Sequence, residues 1–555
     1  MRTADRLVAR TVRRGGPWLG VLAVTSVVGA FTKLALPLVL GRTVDSLVAA
    51  ESASGAWLGA CAAIVAVAVA CDAFGLWGAG ASSAQASAWL RHRALRHVLG
   101  VGPAMTRRFP EGDLVTRMGV NAEEAGRAPE AIVTGAALVI PAAGSLVALT
   151  LIDYRLTLTL VAGLVLIALV LRAFLHTTTS IAGDYQEAQS DIASRLVDAL
   201  AGARTIAAAG TAAQEKRRVL AVLPRLRAHA MDMWRTNARA GVQAGAVVPL
   251  LEVAVLGMGG LRLAAGDLTA GELYSAARYV VLGAGLGSAL GYVGRLARAR
   301  AAAGRLVELA AERPRTYGER PLPAGHGTLE LRGVTVDGLG DVDLVIPGGC
   351  AVAVVGRSGA GKSLLAALAG RLVDPPRGTV SLDGVPLPDL SPEALRQAVG
   401  YAFERPVLVG DTVADAIGLG DPAPETVRAA ARAACADPFV RRLPMGYDTR
   451  LRDAPMSGGE RQRLGLARAF AHGRRLLVLD DATSSLDTVT ERQISRTLAE
   501  DLRGRTRLIV THRVATAAAA DRVIWLDGGR VRAYGEHRVL WKDPGYRAVF
   551  QAGAS

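Results

Sequence analysis

The stretch Gly356-Arg357-Ser358-Gly359-Ala360-Gly361-Lys362-Ser363 holds the residues whose types and spacing most directly specify chemistry. Its three glycines let backbone N–H groups turn inward around an anion. A β-type apolar run (Cys350–Val355) precedes it and a helical run (Leu364–Leu372) follows. In that context the loop is a phosphate cradle at a helix N-terminus. Lys362 then neutralises charge on the β- and γ-phosphates of a nucleotide such as ATP, the Ser363 hydroxyl ligates Mg²⁺, and Leu364 closes the contact set. Lys33, Lys216, Lys362 and Lys542 are the only lysines among 64 basic residues, so a lysine at this position is a pointed choice.

Two further stretches extend this chemistry. A second apolar run, Arg475–Leu479, ends in Asp480-Asp481, and Asp480 is placed to hold Mg²⁺ through water at a strand's C-terminal end. Between loop and strand, Met456-Ser457-Gly458-Gly459-Glu460 opens another helix and offers a second anion site. One nucleotide does not need two phosphate sites on one subunit, whereas two subunits facing head to tail do. A third run, Leu508–Val510, leads to Thr511-His512.

These residues need a scaffold, and the composition shows that it is not one soluble domain. The chain has 555 residues, 51% of them hydrophobic, with a mean hydropathy of +0.29. Runs long enough to cross a bilayer fall at Trp18–Leu40, Trp57–Gly80, Ala131–Ile152, Leu156–Leu175, Ala240–Leu263 and Tyr274–Val293. The connections expected outside (Ala49–Ala56, Asp153–Arg155, Ala264–Glu272) are short and poor in arginine. Those expected inside are long and basic, carrying Arg91, Arg93, Arg96, Arg107, Arg108 and Arg117, then Arg204, Lys216, Arg217, Arg218, Arg225 and Arg227. This placement accounts for much of the net charge of +15 and argues against a nucleic-acid partner. Lys33, Asp72 and Glu252 interrupt the spans, and ionisable groups there face a cavity or each other, which makes them candidates for a substrate path. Ser190–Arg218 reads as a cytoplasmic helix extension. The expected division is a membrane domain at 1–311, a linker at 312–327 and an α/β domain at 328–555. Cys61, Cys71, Cys350 and Cys435 show no metal-binding spacing and read as free thiols.

The set of motifs resembles the ATP-binding-cassette (ABC) superfamily, and six N-terminal spans on the same chain resemble its exporter-type half-transporters. Pro37–Asp45 resembles the family's first span, and Phe109–Arg117 and Leu200–Arg204 its two cytoplasmic excursions. The implied fold is a membrane α-helical domain of six spans with long cytoplasmic extensions, followed by an α/β phosphate-loop ATPase of ABC type. The resemblance assigns the signature, which acts on a partner's ATP, to Met456–Glu460. It assigns the dimer-contact loop to Ser484-Ser485-Leu486-Asp487 and the switch histidine to His512. It further implies a second half-transporter as partner and surrounding membrane lipid. The basic inner connections place both termini and the ATPase in the cytoplasm, and the arginine, alanine and glycine bias points to the cytoplasmic membrane of a bacterium.

The sequence departs from that family pattern at several points. The residue after the magnesium aspartate is normally glutamate, which polarises the attacking water, and here it is Asp481. The glutamine that senses the γ-phosphate and helps ligate Mg²⁺ is replaced by Glu404. The aromatic on which adenine stacks belongs near Val336–Gly338, where none stands. The loop Tyr447–Met456 is short and lacks its Gly-Glu pair. The first three changes fall on the face that holds ATP through its own phosphate loop, while the signature is kept. A weak-site subunit of a heterodimer is therefore expected, with a homodimer tolerating aspartate as the alternative. Export is expected, with import of a siderophore-like substrate on the same scaffold, a non-transporting channel or regulator, and a soluble DNA-handling ATPase as the other readings.

Overall fold

The computed structural model describes residues 2–49, 54–163, 165, 188–189, 191–192, 194–420 and 423–551. They form two compact units: Met1–Val98 with Phe109–Glu312, and Leu99–Arg108 with Arg313–Ser555. The short segment Leu99–Arg108, expected with the helical part, thus groups with the α/β part. One link is the Arg315 N–H, which donates to the Gly100 carbonyl at 3.1 Å.

The first unit is helical. Pro17–Val48 and Ser54–Val101 are helices of 32 and 48 residues. At ~1.5 Å per residue both exceed the ~30 Å hydrocarbon layer, which leaves the second with a long extension beyond it. Together with Glu111–Ile152, they are the helices long and apolar enough to cross a membrane among the described residues. The fifth expected run lies inside the helix Leu223–Ala264, and the sixth is divided between Ala270–Ala284 and Leu286–Leu309. The fourth lies mostly outside the described residues. Ser190–Arg218 does not run on as one helix: Gly210, at φ +66°, ends Ala203–Ala209, and the chain restarts as a helix at Ala212. A left-handed residue there is reached most cheaply by glycine.

Close helix contacts explain why small residues recur in these spans. A Cβ on Gly41 would lie 2.5 Å from the Gly271 carbonyl oxygen and would collide with Ser275 Oγ, so the two helices approach backbone to backbone. Asp45 ties the same ends together by accepting from Thr269 Oγ1 and Gly271 N, both at 2.8 Å. Thr269 in turn forms a capping box with Glu272 at the start of Ala270–Ala284.

Among the described residues, the second unit carries ten strands in two sheets. In chain order they are β1 (Leu329–Val336), β2 (Leu339–Ile346), β3 (Ala351–Gly356), β4 (Arg377–Leu382), β5 (Val385–Pro386), β6 (Val399–Ala402), β7 (Leu476–Asp480), β8 (Thr506–Val510), β9 (Arg522–Asp527) and β10 (Arg530–Gly535). One sheet has the order β2-β1-β4-β5, and the other β10-β9-β3-β8-β7-β6. The strands expected at Cys350–Val355, Arg475–Leu479 and Leu508–Val510 are therefore β3, β7 and β8 with shifted ends, and the helix after the loop begins at Lys362.

In the second sheet β3, β8 and β7 are adjacent and parallel, with Val510 opposite both Val354 and Asp480. Val352 and Val354 of β3 join one core with Leu508, Val510 and Leu526. Ala353 and Val355 point to the opposite face, with Trp525 and Tyr546. A sheet covered on both sides requires the uninterrupted apolar runs read from the sequence. The segment expected as a linker is firmly held: Arg315 Nη1 donates to the Arg371 carbonyl at 2.7 Å, and the buried Arg371 guanidinium lies 4.3 Å from the centre of the Tyr317 ring.

Candidate functional site

Parallel pairing brings the carboxyl ends of β3, β7 and β8 side by side, and each of them delivers polar residues there. Such a row of strand ends is where open α/β sheets bind ligands. After β3 the chain turns through Gly359 (φ +80°) and Gly361 (φ +96°), conformations a side chain would strain, and enters the helix Lys362–Ala369. Lys362 is buried, and its Nζ donates to the carbonyls of Gly356 and Arg357, each at 3.0 Å. Burial holds its pKa below the ordinary lysine value, while the carboxylates of Asp481 and Asp480 oppose that shift. The ammonium thus spans the loop from inside, where a phosphate oxygen would take over from the carbonyls.

Asp480 ends β7 and meets the loop directly. Ser363 Oγ donates to Asp480 Oδ1 at 3.0 Å, and the Tyr401 hydroxyl donates to Oδ2 at 3.3 Å. Burial pushes the carboxyl of Asp480 above the usual aspartate range, and the nearby charge of Glu404 adds to the shift. Burial likewise pushes Tyr401 up, so it stays a neutral donor. A hydroxyl and a carboxylate in contact form an all-oxygen pair of the kind that suits Mg²⁺ beside a triphosphate. The residues present therefore fit ATP with Mg²⁺. Glu404 stands within electrostatic reach of Asp480, but its side chain is 56% exposed and lies 3.9 Å from Arg405.

Asp481 occupies the left-handed region at φ +47°, which aspartate tolerates better than most residues. Its Oδ2 lies 3.5 Å from His512 Nε2, at the turn that follows β8. Burial raises its pKa above the aspartate norm, and His512 acts against that shift. A carboxylate and an imidazole thus face each other beside the loop, a pairing able to orient a water and stabilise charge that develops on a phosphate.

The second anion motif forms its own local structure. Ser457 caps the helix Gly458–Ala471, accepting from Glu460 N at 3.3 Å while its own N–H donates to Glu460 Oε2 at 2.8 Å. The Ser457 N–H, with its hydroxyl, holds the Glu460 carboxyl below the usual glutamate range. Met456 packs against the neighbouring helical core.

Sequence reasoning missed the residue that joins the remaining parts, Gln462. Its buried amide donates to the Glu404 carbonyl and to Ser484 Oγ, both at 2.9 Å, and accepts from Ser485 N at 3.0 Å. The loop at Ser484–Asp487 is thereby fixed to the signature helix and to the segment bearing Glu404. Asp487 then caps the helix Thr488–Ala499 through Val489 N and Thr490 N. Tyr401 and Gln462 stand in motif neighbourhoods, but only their buried contacts reveal their roles.

In the helical unit Lys33 and Asp72 form an ion pair at 3.0 Å. Both line a cavity of ≈ 360 Å³ between spans, with Thr25, Thr134, Glu130 and Tyr292. Glu252 lies on the helix Leu223–Ala264 and is not part of that lining.

Comparison with known proteins agrees with this arrangement. The profile described as the ABC transporter transmembrane region matches residues 19–283, and that described as ABC transporter matches residues 339–484. The chain is 50% identical over 536 residues to the ABC transporter ATP-binding protein RamA of Streptomyces coelicolor, covering 95% of this chain and 84% of that protein. It is 41% identical over 244 residues to an ATP-dependent lipid A-core flippase of Alkalilimnicola ehrlichii, 42% of this chain and 41% of the relative. A bacterial Atm1-family ABC exporter solved with ATP bound shares the fold, with a TM-score of 0.74 at 23% identity and 96% and 97% of the two chains covered. The chain belongs to the ABC transporter family, with the transmembrane region and the ATPase region of an exporter-type half-transporter on one polypeptide.

Proposed function

We propose that the protein is one half of an ATP-driven exporter in the cytoplasmic membrane of a bacterium, with its ATPase region in the cytoplasm. Residues 1–311 form the membrane path, 312–327 connect, and 328–555 bind ATP. The observation that carries this reading is the convergence of Lys362, Ser363, Asp480, Asp481 and His512 at three neighbouring strand ends. The names of the flippase and exporter relatives support the direction of transport.

In the proposed cycle, the loop Gly356–Ser363 cradles the phosphates of ATP and Lys362 neutralises them. Ser363 and Asp480, assisted by Glu404, would hold Mg²⁺, which supplies charge neutralisation at the β- and γ-oxygens when bound. Asp481 aligns water, and His512 stabilises the leaving charge. Ser457–Gly459 present helix N–H groups to the nucleotide of a second half-transporter, and Ser485 and Asp487 face that partner. Closure of the two ATPase regions opens the spans outward by alternating access, with Lys33, Asp72 and Glu252 along the substrate path.

The partner is a different chain in this reading. Asp481 is one methylene too short for the water-aligning role, and the adenine-stacking ring is missing, while the signature cap is fully formed. Hydrolysis then proceeds mainly at the partner's site. The test is the purified pair in nanodiscs. Lys362→Ala is expected to weaken nucleotide binding at this chain's site, and substitutions at Ser457 or Gly458 to depress hydrolysis at the partner's. Equal losses from Asp481→Asn and from glutamine at the partner's catalytic glutamate contradict the asymmetry. ATP-driven accumulation outside rather than uptake separates export from import.

A further inference from the structure

The absence of an aromatic residue at Val336–Gly338 leaves the question of what holds the base. Gly359 of the phosphate loop lines the edge of a cleft of ≈ 690 Å³, formed with the β1–β2 turn, the start of β4 and the β9–β10 turn. Among the described residues, no aromatic side chain lines this cleft. Two arginines do, Arg377 from β4 and Arg530 from β10.

The cleft is built rather than incidental. Gly340 N donates to the Gly529 carbonyl at 2.9 Å, which locks the β1–β2 and β9–β10 turns together. Gly529 takes φ +75°, and a Cβ there would stand 2.8 Å from the Gly338 carbonyl oxygen, so the two turns meet backbone to backbone. On the opposite side, Arg377 is paired in register with Thr335 of β1. Both arginines are exposed, and among the described residues neither is joined to a carboxylate. Their neighbour Arg532 is engaged differently, bonded to Asp527 at 2.9 Å. The two guanidinium groups flanking the cleft are therefore available to a ligand.

We propose that Arg377 and Arg530 bind the base of the nucleotide by stacking their guanidinium planes on it, in the place of the absent ring. This rests on the reading of Gly356–Ser363 as the nucleotide's phosphate site. A guanidinium is planar, delocalised and weakly hydrated, so it stacks on π-systems where an ammonium does not. Arginine planes serve as stacking surfaces for bases in nucleic-acid recognition. Gly359 belongs both to the phosphate loop and to the cleft lining, so the cleft adjoins the place where a nucleotide's phosphates would sit. The site thus retains base binding, through a surface that carries positive charge.

The experiment measures equilibrium binding of ATP and of inorganic tripolyphosphate to the full-length chain in nanodiscs. Tripolyphosphate carries the phosphates without a base. The double variant Arg377→Ala/Arg530→Ala is expected to weaken ATP about fivefold or more, the range of one lost stacking contact, and to leave tripolyphosphate unchanged. Arg530→Phe in the Arg377→Ala background is expected to recover ATP affinity, since a ring restores the surface without the charge. ATP affinity unchanged in the double variant overturns the proposal. Equal weakening of ATP and tripolyphosphate also overturns it, because the arginines then act only on phosphate charge. Lys362→Ala is the control and is expected to weaken both ligands; if it weakens neither, the reading of the phosphate site itself fails.

Discussion

Replacing Asp481 with glutamate lengthens the side chain that faces His512 by one methylene. The extra carbon extends the carboxylate by about one C–C bond, ~1.5 Å, and ~1 Å of misplacement can cost ~10²-fold in rate. Asp481 lies 3.5 Å from His512 and within electrostatic reach of Lys362, so the added length acts where the carboxylate already faces the phosphate loop. A gain of about 10- to 100-fold in hydrolysis at this site follows, corresponding to ~1.4–2.7 kcal/mol of barrier. The backbone opposes the change: residue 481 sits at φ +47°, where a longer side chain is less at home than aspartate. A left-handed conformation costs roughly 1–2 kcal/mol for ordinary residues, so Asp481→Glu is expected to raise the rate while lowering the melting temperature slightly. Single-turnover hydrolysis by the purified pair, with the partner's catalytic glutamate changed to glutamine, isolates this site. A variant no faster than wild type, or an Asp481→Asn variant as fast as wild type, refutes the reasoning.

Other perturbations follow from particular contacts. Gln462→Ala leaves Ser485 N and the Glu404 carbonyl without their partner and is expected to cost about 1–3 kcal/mol, seen as a lower denaturation midpoint of the full-length chain. Gly41→Val forces apart the backbone contact with Gly271 and is expected to cost about 1–3 kcal/mol, read from thermal unfolding in detergent. Neutralising Lys33 alone strands Asp72 between spans, so Lys33→Ala is expected to reduce monodisperse yield more than the double change Lys33→Ala/Asp72→Ala. Glu460 has a folded pKa below its ordinary value of 4.5, so the cap's contribution is complete above that pH and is lost only as pH falls through the lowered value. The melting difference between wild type and Glu460→Ala is therefore expected to stay constant from about pH 8 to 5 and to shrink in stronger acid.

The parts of the site that depend on backbone conformation and fixed spacing could be read from the sequence. Glycine at 359 and 361 is required by their positive φ, and the apolar runs of β3, β7 and β8 are required by a sheet buried on both faces. Long-range side-chain contacts could not be read this way. Nothing in Gly400-Tyr-Ala-Phe-Glu404 shows that Tyr401 reaches Asp480, or that the Glu404 backbone is fastened by Gln462, 58 residues away. The left-handed backbone at Asp481 was equally hidden, because aspartate is common in ordinary turns as well. In the helical unit, apolar runs anticipated the long helices Pro17–Val48, Ser54–Val101 and Glu111–Ile152, yet hydropathy carried no sign that Lys33 and Asp72 meet across 39 residues. The helix expected through Ser190–Arg218 is broken because Gly210 ends it, a local backbone preference that outweighs the amphipathic pattern around it.

The most direct test of the account is the Mg²⁺-dependent ATPase rate of this chain alone in lipid nanodiscs, beside the same chain co-expressed and purified with a second half-transporter from the same genome. The account expects slow turnover alone and brisk turnover in the pair, abolished by substitution of the partner's catalytic glutamate but only reduced by Asp481→Asn. Brisk turnover by the chain alone, lost on Asp481→Asn, would contradict it and would identify a homodimer in which aspartate suffices.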